Sequence, residues 1–192
     1  MTQDAQTNLL SEISDVRLMQ ILLADLHDDL AGKIARFHQL NDLSAALGSG
    51  GTMMPGGETA YTAWMEARTS FIQGNYIATV MLCQGLAEHM LASQLTLGLS
   101  AKELPSRVEF RETLEQCVVA KVVSKSDAKE LKRLMGLRNP LSHFRKINDP
   151  ANLTRRVLDS RSSAQGHLFS DASFAISVAI RLLALPAFRI DY

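Results

Sequence analysis

LKRLMGLRNPLSHFRK, residues 131–146, is the stretch on which the reading of the chain turns. Leu131, Leu134 and Met135 recur at the three-and-four spacing of a helix face. The run also gathers an arginine, an amide and a histidine into six positions, Arg138, Asn139 and His143. Asn139 followed by Pro140 reads locally as a helix N-cap with proline at the first helical position, where its missing N–H costs nothing. On a helix starting there, Asn139 and His143 lie about one turn apart and address one spot. Arg138, five positions before His143, falls about 140° round a straight helix, so one chain need not bring both to a single ligand. The blander reading of the same residues is a capped helix junction.

Outward from this stretch the pattern stays helical and predicts an all-α bundle. From Leu9 to Leu47 apolar residues recur at three and four, with Val16, Leu23, Leu30 and Phe37 on a heptad seam. This predicts one long amphipathic helix, or two broken near Gly32, packing on its own domain or pairing with a second copy as a coiled coil. GSGGTMMPGG, residues 48–57, cannot sustain a helix and divides an N-terminal helical arm (1–47) from a helical domain (58–192). Tyr61, Trp64, Met65, Arg68, Phe71 and Ile72 trace a face ending at Gly74. Asn75 then caps a helix running to about Gly98, with Tyr76, Val80, Cys83, Ala87, Met90, Leu91 and Leu95 inward. Ser106 with Glu109, and Ser124 with Asp127, are capping boxes for two further helices. Asp149 and Pro150 repeat the cap-plus-proline device, residues 161–166 read as a mobile loop, and a strongly apolar central helix runs from about Asp171 to Leu185, stopped by Pro186.

Composition fits an ordinary globular protein, with 46% hydrophobic and 21% charged residues. The net charge of zero hides an asymmetry, because residues 102–161 hold 14 Lys and Arg against 8 Asp and Glu. The motif therefore lies in the one basic segment, which suits an anionic ligand or simply a solvated surface. Cys83 and Cys117 lack CxxC spacing and sit at apolar positions, predicting buried thiols rather than a disulfide or a zinc site. His27 and His38 have no acidic or cysteine partner at ligand spacing, so no metal or other cofactor is expected. The polar N-terminus is unlike a signal peptide, and the apolar run Phe174 to Leu185 is short for a bilayer and carries Arg181, so a cytoplasmic protein without a membrane partner is expected.

Arg138-Asn139 with His143 after four intervening positions, at the end of a leucine-rich helix, resembles the RxxxxH signature of the HEPN superfamily of small helical proteins. GNYIATVMLCQGLAEHMLASQL, residues 74–95, is similar to that family's leading helix, with Tyr76, Ala78 and Glu88 in an apolar field. The resemblance covers roughly residues 58–185 and departs from the pattern at Pro140. It implies a four- to five-helix up-and-down bundle, with the long N-terminal helix as an addition. It further implies a ribonuclease of toxin or phage-defence type, acting on RNA as a homodimer whose two motifs meet across a two-fold axis, with room for an antitoxin or sensor partner. Arg138, Asn139 and His143 are then the catalytic candidates, with Glu88 and Arg145 supporting and Glu88 bracing Arg138.

The chemistry such a site needs is available in these residue types. RNA is cleaved without metal when a base takes the 2′-hydroxyl proton, the freed oxygen attacks phosphorus, and an acid protonates the departing 5′-oxygen. Imidazole titrates near neutrality and suits both proton steps. Guanidinium holds two phosphate oxygens as their charge grows. Pairing Arg138 of one copy with His143 of another also removes the 140° mismatch. Two other readings compete: an inactive HEPN-like module that binds RNA or nucleotide or only dimerises, and a scaffold whose working part is the N-terminal helix.

Overall fold

A computed structural model describes residues 14–97 and 109–190. Among them the chain is all-α, with eight helices: α1 (Asp15–His27), α2 (Leu30–Ser44), α3 (Gly57–Gln73), α4 (Tyr76–Leu97), α5 (Phe110–Val119), α6 (Lys125–Ser142), α7 (Leu153–Ser160) and α8 (Ala164–Leu183). α4 and α8 form the centre. α4 packs against α3, α5, α6 and α8, and α8 also meets α2, α3, α6 and α7. The core runs from Trp64 and Phe71 on α3 through Val80, Leu86, Met90 and Leu91 on α4 to Leu131 and Leu134 on α6 and Ile176, Ile180 and Leu183 on α8. The expected inward residues of α4 are buried or half-buried. On α3 the buried face is Ala60, Trp64, Ala67 and Phe71, whereas Tyr61 and Met65 point to solvent. Ala60 and Ala67 are wholly buried there, so small side chains rather than large ones make the contact face.

The N-terminal pattern resolves into two helices broken close to Gly32, at Asp28–Asp29. Leu9 and Ile13 lie outside the described residues. Asp29 adopts a left-handed conformation, φ 51°, which Asp tolerates better than most residues. Its carboxylate then lies over Gly32, where any Cβ would overlap it, and pairs with Arg36 Nη1 at 2.9 Å. Arg36 is itself buried. Its Nε donates to the Ile72 carbonyl at 2.9 Å and its Nη1 to the Tyr76 hydroxyl at 3.3 Å. A single arginine thus ties α2 to the corner between α3 and α4, where Gly74 turns at φ 83° beneath the guanidinium. Lys33 completes the junction by donating to the carbonyls of Asp25, Leu26 and Asp28, capping the C-terminal end of α1. α2 is therefore packed on the bundle, while α1 buries none of its residues.

Residues 48–57 are not plain linker. Gly51–Thr52 (β1) pairs antiparallel with Arg189–Ile190 (β2), in register Gly51↔Ile190 and Thr52↔Arg189. Met53 N–H donates to the Phe188 carbonyl at 2.8 Å, and Arg189 Nη1 to the Thr52 hydroxyl at 2.6 Å. Phe188, fully buried, plugs the core beneath this clasp.

α8 begins seven residues earlier than its apolar pattern suggests, because Ser163 caps it by accepting from Gly166 N–H. Half of the expected loop 161–166 is thus helix, and only residues 161–163 lie outside it. The 20-residue α8 is long and apolar enough to cross a bilayer, yet 56% of the relevant window is buried inside the bundle. Asp171, expected at its start, lies within it at 6% exposure, gripped by Arg156 of α7 through Nη1 at 2.6 Å and Nη2 at 2.9 Å. These hydrogen bonds raise the Arg156 pKa above the ordinary guanidinium value, against the opposing effect of burial. Asp149 is not the cap of α7. Asn152 is, accepting from the N–H groups of Thr154 and Arg155, while Asp149 accepts from Ala151 N–H in the preceding turn.

Candidate functional site

Ser124 opens α6 with a reciprocal capping box to Asp127, as its sequence suggests. The helix then runs straight through the motif. Pro140 is inside it and Asn139 is not an N-cap; the last helical residue is Ser142 and His143 is the C-cap. The physical reason is position. Pro140 lies in the final turn, where it removes only the bond to the carbonyl of Gly136, an exposed glycine whose carbonyl water can serve. The Ser142 hydroxyl donates to the carbonyls of Arg138 and Asn139, and His143 N–H to Asn139, closing the helix end.

Arg138 and Asn139 are half-buried and line a cleft of about 570 Å³ between α4 and the start of α5. Gln84 and Glu88 come from α4, Glu109, Phe110 and Arg111 from the α5 end, and Met135 from α6. The cleft thus holds two guanidinium groups and two carboxylates. Glu88 shares it with Arg138, but no ion pair among the described residues includes Arg138. Glu88 instead accepts from Gln84 Nε2 at 3.3 Å. Gln84 is 2% exposed, and its Oε1 has no partner among the described residues. A buried amide oxygen left open at a cleft wall is costly unless water or a ligand donor meets it. Gln84 and Arg111 are functional candidates that sequence reasoning passed over. In the sequence Gln84 is one polar residue in an apolar run, and Arg111 one of several cations between residues 107 and 133.

His143 does not line this cleft. It stands exposed on extended backbone, φ −129° and ψ 137°, beyond the end of α6. Phe144 beside it is 91% exposed, an unusual position for a large aromatic side chain. Arg145 turns away to pair with Asp149 at 3.5 Å, and its carbonyl accepts from Asn152 Nδ2, so it staples the 145–152 turn. One chain therefore brings Glu88, Arg138 and Asn139 together and leaves His143 and Arg145 outside. Ser106, expected to cap α5, lies outside the described residues; Glu109 occupies the cap position without a side-chain cap bond.

The other polar clusters carry less chemistry. Ser160 Oγ lies 2.7 Å from His167 Nε2, but the same hydroxyl contacts the Arg156 carbonyl and Ser162 N–H, the pattern of a helix-end cap. Among the described residues no group of three His, Cys, Asp or Glu is placed to hold a metal ion. Cys83 and Cys117 are free and buried; burial raises both thiol pKa values, that of Cys117 to about 12. No family model, curated protein or solved structure matches this chain.

Proposed function

We propose that the chain is a cytoplasmic, metal-independent endoribonuclease of toxin or phage-defence type, whose working site is completed by a second copy. The observation that carries this reading is the division of the motif. Arg138 and Asn139 line a cleft that also offers Arg111 and the open Gln84 amide, while His143 and Phe144 stand clear of it and exposed. The cleft suits a phosphate with its flanking base, held by guanidinium and amide groups. The exposed imidazole suits delivery to a neighbouring copy, with Phe144 as a stacking surface for an unpaired base. In the reaction His143 takes the 2′-hydroxyl proton, the 2′-oxygen bonds to phosphorus, and the bond from phosphorus to the 5′-oxygen breaks. The second copy's imidazolium returns a proton to that 5′-oxygen, leaving a 2′,3′-cyclic phosphate. Arg138 stabilises the charge that accumulates on the phosphate oxygens.

Purified protein incubated with single-stranded RNA and a chelator should release fragments ending in cyclic phosphate. His143→Ala should slow this by about 10²-fold or more, and 2′-deoxy substrate should resist because its nucleophile is missing. Intact RNA, or equal cutting by His143→Ala, rejects catalysis here. Salt-sensitive RNA binding without turnover, lost in Arg138→Ala, would instead identify a binding module.

A further inference from the structure

Among the described residues, α1 is anchored at its root and otherwise uncovered. The Lys33 cap and the Asp29–Arg36 pair fix its root, yet Val16, Met19, Leu22, Leu23 and Leu26 are all between 53% and 61% exposed. With Leu18 and Ile21 these side chains leave on the order of 600 Å² of apolar surface open, at the top of what a monomer ordinarily exposes. A coiled coil along the sequence heptad does not cover it, because the left-handed Asp29 breaks the seam between Leu23 and Leu30.

A complementary surface lies between two other helices of the bundle. Between α5 and α6 runs a groove of about 310 Å³ floored by Phe110, Leu114, Val118 and Met135 and rimmed by Lys125, Lys129 and Lys132. Arg111 adds a fourth cation, offset by Glu115. α1 carries mostly the opposite charge: Asp15 stands at the N-terminal end of its apolar face, Asp25 at one side and Asp28 at the C-cap, while Arg17 falls half a turn away, opposite Leu26, and His27 lies in the last turn. The groove spans about 12 Å of α5 from Phe110 to Val118, room for two turns of a docked helix. An anionic lipid surface fails the same charge test.

We infer that α1 of one copy lies in the α5–α6 groove of a second copy, and that the exchange is reciprocal, closing a two-fold dimer. Each α1 then covers its apolar face, and two such contacts bury an area of the order of a stable dimer interface, about 1,600 Å². Phe110, Arg111 and Met135 line both this groove and the Arg138 cleft, so the partner's helix forms a wall beside the candidate site. The inference does not depend on RNA cleavage, since the assembly is read from mass alone.

The test is light-scattering mass and sedimentation of the full chain at micromolar concentration, with circular dichroism to verify folding of each variant. The wild type should be a dimer. Lys129→Glu with Lys132→Glu, and separately Asp15→Lys with Asp25→Lys, should each weaken it at least tenfold; all four positions are exposed. Combining the four changes restores the opposite charges and should restore the dimer. A monomeric wild type overturns the inference. So does a groove reversal that leaves the dimer intact, which would mean that α1 pairs with α1 or that another face associates, and so does a combined variant that stays dissociated.

Discussion

Replacing Asp171 with asparagine tests what holds α7, and the turn that follows the motif, in place. α7 buries none of its own residues, so the grip of Arg156 on Asp171 is its chief polar tie to α8. Asparagine keeps the volume but turns one acceptor into an N–H that faces a guanidinium N–H. Each charge-assisted bond contributes about 1.5–3 kcal/mol, and breaking a fully buried pair costs about 3–5 kcal/mol. The Arg156 side chain is 24% exposed and Asp171 only 7%. A released Arg156 therefore regains water, which puts Asp171→Asn at about 2–3 kcal/mol, or about 5–10 °C in Tm for a chain of this size. Arg156→Met is the costlier change, about 3–5 kcal/mol, because it strands a buried carboxylate. Urea unfolding gives both energies, and hydrogen exchange localises them: amides of residues 153–160 should lose protection first. If Asp171→Asn costs more than Arg156→Met, or if α7 amides exchange as in the wild type, the reasoning is refuted.

The two cysteines set an alkaline limit. Both thiols are pushed up by burial, so the unfolded chain ionises first. Their contribution is constant below about pH 8.5, and above it stability falls by about 1.4 kcal/mol per pH unit per thiol until the folded thiols titrate, near pH 12 for Cys117. A Cys83→Ala, Cys117→Ala variant should lose that slope in urea titrations between pH 8 and 10; an unchanged slope would assign it to other groups. Pro140→Ala restores an N–H to the last turn of α6 and should stabilise the chain by about 1 kcal/mol, less than the full helix-interior penalty for proline. Destabilisation in thermal unfolding would show that the ring packs productively.

Where the chain announced itself, it did so through short-range chemistry. The Ser124–Asp127 box, the stop at Gly74 and the alternation of apolar residues on α4 each depend on neighbours within one or two turns. The misreadings have a common origin. Asn-Pro is compatible with both ends of a helix, and the choice was made by α6 arriving from Leu131 with enough packing to carry it past the proline. AQGHLFSD is too polar to look like the start of an apolar helix, and its first seven residues are exposed or half-buried; one serine cap and the pairing of Asp171 with Arg156, fifteen residues away, hold it helical. Arg36 is a buried clamp that no local pattern marks, because its partners, Ile72 and Tyr76, are supplied by a corner distant in sequence. The candidate site divides the same way. Arg138 and Asn139 could be picked out by type and spacing, but their sharing of a cleft with Gln84, Glu88 and Arg111 is tertiary.

The position of α8 has a bearing on how the chain emerges from a ribosome. Its main packing partner, α4, is made about ninety residues earlier, an interval of about 5–20 seconds at ordinary rates of synthesis. Through that interval Val80, Leu86 and Ala87 have no Ala172, Ala175 or Ile176 to cover them. The nascent α3–α4 hairpin therefore keeps part of its apolar surface open, and slowing translation between codons 98 and 163 should increase aggregation rather than relieve it.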